Sequence, residues 1–181
     1  MNTEFTSLMD RVCTCLLEGE LWHQRSANLM RMAALRGFGR WHDSEGYCDA
    51  ETRVCLEKLA CDRLGHEIEL DINVAAPAVS YSIGGSADLP RHLQQWVARE
   101  EKFIPVLNDA VRMAAGTDVC LYKDLICLAE EVQAEAMRVK IVEKRLALAQ
   151  WGGHDIGIVS MILHEHFEEH PHDKYINVNL G

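Results

Sequence analysis

Four glutamates interrupt the apolar stripes of a sequence whose periodicity is otherwise typical of long amphipathic helices. At spacings of three and four residues, each of four helical segments carries one of them on its apolar side: Glu20, Glu57, Glu100 and Glu135. His23 lies about one helical turn after Glu20 on the same stripe. Because an ionised carboxylate is costly to bury without compensation, four on inner faces require positive charge, which two divalent cations would supply.

The spacing of the glutamates along the chain places them at one height. In an antiparallel pair of helices, residues equidistant from the turn lie opposite each other. The midpoint of the first two glutamates falls within RGFGR (36–40), and that of the last two within AGTD (115–118). If both segments are turns, all four carboxylates lie in the middle of a bundle. Each stripe is defined only to within about one position, and the alternative carboxylates are Glu51, Glu101 and Glu131.

Long helices and short turns would position these side chains. Apolar periodicity predicts helices over about 5–35, 44–64, 88–115 and 118–150, followed by a short fifth helix. The connection 65–87 is long enough to run the length of a bundle and make the second and third helices parallel. The predicted fold class is all-α: a ferritin-like four-helix bundle with one long crossover between helices two and three, plus a short fifth C-terminal helix. We predict the bundle and fifth helix over 1–165 and a polar, His-rich tail over 166–181.

Composition and charge disfavour several functions. A net charge of −10 argues against nucleic acid as a partner, since phosphate binding needs clustered Lys and Arg. No apolar run has the length of a transmembrane helix, and the first twenty residues lack the pattern of a signal peptide. Seven cysteines, an odd number without a CxxC pair, predict reduced thiols and a cytoplasmic protein.

The histidine-rich end of the chain is a second candidate for a cation. His166 and His170 are one helical turn apart and could chelate a divalent ion. The HExxH pattern of zinc proteases is absent there. The other interpretation is a solvated helix end and tail.

Over about residues 5–165 the sequence resembles the ferritin-like superfamily, in particular bacterioferritins and the starvation-induced DNA-protection ferritins. GELW (19–22) is similar to the first-helix metal segment of bacterioferritin, residues 37–65 to the following turn and helix, and 96–119 to a ferritin third helix and turn. The resemblance implies a homo-oligomer, either a dimer or a larger shell, in which the apolar crossover segment 72–83 would pair with its copy. It also implies a carboxylate site in the bundle core, with His23 as the nitrogen ligand, that oxidises Fe(II) for iron storage or detoxification.

The sequence departs from that family at the expected histidine ligands. Family members place Glu-x-x-His on the second and fourth helices, whereas Ala60 follows Glu57 and Arg138 follows Glu135 at that spacing. His42 could replace the histidine that DNA-protection ferritins carry just after the first turn. Carboxylates with one imidazole suit Fe(II), Mn(II) or Zn(II), and a di-iron centre with ferroxidase activity is the main expectation.

Two alternatives to a ferroxidase stay open. Arg138 could neutralise the carboxylates and leave a metal-free bundle that serves as a binding or assembly subunit. Pro105, inside the third helix, could widen a pocket for a di-metal oxygenase that acts on an organic substrate.

Overall fold

The computed structural model describes residues 3–71 and 89–171, which form five α-helices. They are α1 (Thr3–Met32), α2 (Arg36–Leu59), α3 (Leu89–Ala114), α4 (Val119–Leu148) and α5 (Gly153–Glu169). A π-helical turn, Ala60–Leu64, follows α2 directly. This part of the chain contains no strand, and none of its helices is long and apolar enough to cross a membrane. The predicted pairing of segment 72–83 and most of the predicted tail lie outside the described residues.

The helices pack as a four-helix bundle with one crossover, as predicted. Residues 33–35 join α1 to α2, and 115–118 join α3 to α4, so each short connection makes an antiparallel pair. The main contacts are α1 with α2, α3 with α4, α2 with α5, and α1 with α3. Asp118 caps α4, because its Oδ1 accepts the backbone N–H groups of Cys120 and Leu121 at 2.9 and 3.0 Å.

The first turn lies closer to the N-terminus than the glycines of RGFGR (36–40) predict. These residues form the first turn of α2, and the reversal is made before them, where Ala34 has a φ of 61°. Gly37 serves a different purpose, which is the close approach of α5. Its backbone N–H donates to Ser160 Oγ at 3.2 Å, and a Cβ at Gly37 would overlap the Ser160 carbonyl.

The shifted turn changes which face of α2 is buried. Tyr47 and Val54, which lie on the same apolar stripe of the sequence as Glu57, are exposed. Gly46 instead faces α1, where a Cβ would lie 3.1 Å from His23 Cβ. The buried side chains of α2 that are polar or aromatic are Phe38, Trp41, His42, Ser44 and Glu45.

Two apolar clusters fill the bundle. The α5-side cluster includes Met30, Phe38, Leu93, Val142 and Leu163. The far cluster includes Phe5, Leu16, Leu107 and Leu125. Between them along the helices lie four buried polar side chains, which we call the polar layer: His23, Glu45, Glu100 and Glu135.

Candidate metal centre

Three of the predicted ligands come together in the polar layer. One ligand atom from each of His23, Glu100 and Glu135 lies within 4.8 Å of the others, and no residue of the three is more than 7% exposed. His23 Nε2 is 3.6 Å from Glu135 Oε1. We call these residues the donor group; α1, α3 and α4 each contribute one of them. Within 3–71 and 89–171 no other group of three or more His, Cys, Asp or Glu side chains meets this criterion.

Glu20 and Glu57, the other two predicted carboxylate ligands, are not part of the donor group. Both pair with Arg53 on α2, whose guanidinium donates to Glu57 Oε1 at 2.7 Å and to Glu20 Oε2 at 3.2 Å. The side chain of Glu57 is 30% exposed and that of Glu20 is 19% exposed. The shifted first turn explains the placement of Glu57, which lies farther along α2 than the polar layer. The structure therefore does not bring the four predicted glutamates to one height.

The alternative candidates are scattered. Glu51 and Glu101 are exposed, and Glu131 lies in the wall of a pocket between α2 and α4. The rings of His166 and His170 are 5.6 Å apart at the end of α5, away from the donor group. In the described ranges they do not form a three-residue ligand group.

The structure adds two acids of α2 that periodicity missed. Glu45 Oε1 accepts a hydrogen bond from Trp41 Nε1 at 2.9 Å and lies 3.5 Å from Arg138 Nη2. Asp49 Oδ2 is 3.4 Å from Arg99 Nη2. A turn placed at 33–35 would have put both acids opposite the middle of α1, but the glycines pointed to a later turn.

The guanidinium of Arg99 lies against the polar layer, and its position was also not predicted. Its Nη1 donates to Glu100 Oε1, and its Nη2 lies 3.4 Å from both Asp49 Oδ2 and the carbonyl oxygen of Cys15. Gly19 provides the space, because a Cβ there would overlap both Arg99 and Asp49. Burial opposes the charge of Arg99, but Glu100 and Asp49 outweigh it and raise its pKa.

Burial and mutual repulsion raise the pKa values of the carboxyl groups in the polar layer. Burial first and the charge of Glu135 second hold the pKa of Glu45 and of Glu100 well above the ordinary value. Burial also raises the pKa of Glu135, although Arg99 and a 2.5 Å hydrogen bond from Trp96 Nε1 act in the opposite direction. Additional positive charge in the layer would lower these pKa values.

Three histidines form a buried hydrogen-bonded chain that starts at the donor group. His23 Nδ1 is 2.9 Å from His42 Nδ1, and His42 Nε2 is 2.8 Å from His92 Nε2. Trp96 stacks on His42 and Trp22 on His92. Burial lowers the pKa of all three histidines, that of His92 to about 3, so they are neutral. His23 Nε2 presents a lone pair to the donor group when its Nδ1–H donates to His42.

A pocket of about 280 Å³ opens between α2 and α4 and reaches the polar layer. Glu45 and Glu135 lie in its wall together with Asp49, Glu130 and Glu131. Because acids outnumber the single arginine of the wall, this approach attracts cations.

The donor group could hold a metal ion. Two carboxylates and one imidazole suit Fe(II), Mn(II) and Zn(II). A positive charge, the guanidinium of Arg99, already lies against Glu100. The described ranges hold no second ligand group of this kind.

Comparison with solved structures identifies the fold. The sequence matches no protein-family model and no curated protein. The structure is similar to an open-pore ferritin from the archaeon Archaeoglobus fulgidus, with a TM-score of 0.78, 14% identity, and coverage of 91% of this chain and 96% of that one. It is also similar to a ferritin from the green alga Ulva pertusa, with a TM-score of 0.76, 15% identity, and coverage of 91% and 85%. The chain therefore has the ferritin-like fold that its sequence resemblance implied, while the finer likeness to bacterioferritins or DNA-protection ferritins stays a prediction.

Proposed function

We propose that the protein binds one divalent cation at His23, Glu100 and Glu135, with Fe(II) as the first candidate. The observation that carries the proposal is the convergence of these three donors in a buried layer. The acidic pocket supports it, because it raises the local concentration of cations next to the donors. The ferritin-like fold makes iron the first metal to test.

Each residue of the site has a role in this proposal. Glu100 and Glu135 supply anionic oxygens, and Trp96 holds Glu135 in place through its Nε1–H. His23 supplies a neutral nitrogen that His42 orients. Fe(II) would then be a substrate: four Fe(II) ions and four protons reduce one dioxygen to two waters, or two Fe(II) ions and two protons reduce one hydrogen peroxide to two waters.

The test is a metal count on matched double variants. The purified full-length chain is loaded with Fe(II) without oxygen, gel-filtered and analysed for iron. We expect about one iron per chain in the wild type, and its loss in Glu100→Gln/Glu135→Gln. The control is Glu20→Gln/Glu57→Gln, which removes two glutamates that share Arg53 and should keep the iron. Oxidation is then followed by oxygen uptake after air is admitted.

Two results would contradict the proposal. A folded wild type without iron would refute metal binding at this site. Loss of iron in the Glu20/Glu57 control but not in the Glu100/Glu135 variant would move the site to the glutamates of α1 and α2.

A second candidate function is a metal-free bundle that acts as a binding or assembly subunit. Arg99 favours it, because its guanidinium already compensates Glu100 and Asp49. The same metal count separates the two candidates. Under either one we propose a homo-oligomer, and light scattering that gives the mass of a single chain would contradict this.

A further inference from the structure

We infer that Arg99 is an internal cation that competes with the metal for Glu100, so that metal binding is an exchange of a guanidinium for a metal ion. The inference rests on the proposed function, because it concerns the same donor group. Arg99 then lowers the affinity of the donor group for a metal ion.

Arg99 Nη1 lies against two residues of the donor group. Nη1 bonds to Glu100 Oε1, and it lies 3.5 Å from His23 Nε2. A metal held by His23 needs the single lone pair of Nε2, which Nη1 now faces, and a metal bound beside Glu100 repels the guanidinium. Nη1 therefore has to move away from His23 and Glu100 when the metal binds.

Arg99 Nη2 lies near two acceptors that are not part of the donor group. Asp49 Oδ2 and the Cys15 carbonyl oxygen lie on the other side of the guanidinium, each 3.4 Å from Nη2. Arg99 thus keeps acceptors when it leaves Glu100, and Gly19 leaves room for the head group beside α1. The exchange needs a side-chain movement and no rearrangement of the helices.

Arg138 offers a matched control for charge alone. It carries the same charge near the same layer, but its bond runs to Glu45 at 3.5 Å. Its side chain is buried to a similar degree, with 16% exposed against 19% for Arg99. Removing Arg138 changes the field at the donor group and leaves Glu100 paired with Arg99.

The experiment is a Co(II) titration of the full-length wild type, Arg99→Met and Arg138→Met, followed by the visible absorption of the bound ion. We expect Arg99→Met to bind Co(II) at least about tenfold more tightly than the wild type, which corresponds to about 1.4 kcal/mol. Arg138→Met should tighten binding by less than about threefold, because no contact between Arg138 and the donor group has to break. Without metal, Arg99→Met should melt at a lower temperature than the wild type, and Co(II) should raise its Tm more.

The outcomes separate this inference from the proposed function. If both variants bind Co(II) more tightly than the wild type by the same factor, the proposed exchange is wrong and the effect is one of charge in general. Binding by Arg99→Met but not by the wild type supports the competition and overturns the proposed function of the natural chain. Absence of binding in all three folded proteins overturns both. If Arg99→Met does not fold, Arg99→Gln replaces it: its amide removes the positive charge but can still bond to Glu100, and it should still bind Co(II) more tightly than the wild type.

Discussion

The substitution Gly19→Ala should destabilise the protein, although alanine is the better helix former. Gly19 lies inside α1, where a Cβ would overlap the guanidinium of Arg99 and the carboxylate of Asp49. To accommodate the methyl group, either this ion pair breaks or α1 moves away from α2. Either change disturbs the contacts that hold Arg99 beside the polar layer.

The expected loss of stability is the difference between two opposing effects of the substitution. Alanine gains about 1 kcal/mol over glycine in a helix interior. Breaking a buried ion pair costs about 3–5 kcal/mol, and the low end applies because the side chains of Arg99 and Asp49 are 19% and 15% exposed. The net loss is therefore about 2 kcal/mol, or about 4–8 °C in Tm for a chain of this size.

Urea denaturation followed by circular dichroism measures this loss, with Gly157→Ala as the matched control. Gly157 is an exposed position within α5, and a Cβ there would meet nothing within 4 Å. This variant should gain up to about 1 kcal/mol. If Gly19→Ala proved as stable as the wild type while Gly157→Ala gained stability, the packing of Arg99 and Asp49 against α1 would be refuted.

Three further predictions concern other parts of the molecule. The folded pKa of His92, about 3, lies below its ordinary 6.5, so the unfolded chain takes up the proton first as the pH falls. Between pH 6.5 and 3 the free energy of unfolding of the wild type, relative to that of His92→Gln, should fall by about 1.4 kcal/mol per pH unit. Urea denaturation at pH 7.5 and 5 measures this difference, and a difference that does not change with pH would contradict a buried neutral imidazole. Gly37→Ala should speed amide hydrogen exchange in α5, because its Cβ would meet the Ser160 carbonyl, and unchanged protection would argue against that close approach. Asp118→Ala should cost about 1 kcal/mol in thermal unfolding through loss of the α4 cap, and a neutral result would mean that water replaces it.

The fold and the three residues of the donor group could be predicted, because their signals lie within single helices and the turns between them. Apolar periodicity identified the helices, and the long connection identified the crossover. Glu100 and Glu135 were correctly predicted to be buried and close together, because Asp118 is a recognisable cap that fixes the turn between their helices. Where a turn carries its own chemical signal, the heights of residues on the two flanking helices follow by counting.

The rest of the site could not be predicted, because its signals are not local. A glycine that permits close helix packing, such as Gly37, looks the same in sequence as a glycine in a turn. The true reversal uses Ala34 at a positive φ, a conformation that the residue type does not indicate. The pairing of Arg99 with Asp49 joins α3 to α2 across the crossover, and it depends on the tertiary arrangement.

The polar layer also bears on how the helices align along the bundle axis. It lies between two apolar clusters, so a helix that slid by one turn, about 5.4 Å, would carry a polar side chain into one of them. It would also leave the former partners of that side chain buried and unpaired. In coiled coils a single polar position fixes the register in the same way, at a cost in stability. The layer thus gives the four helices one axial register, which interchangeable Leu, Val and Ala side chains alone would specify less strictly.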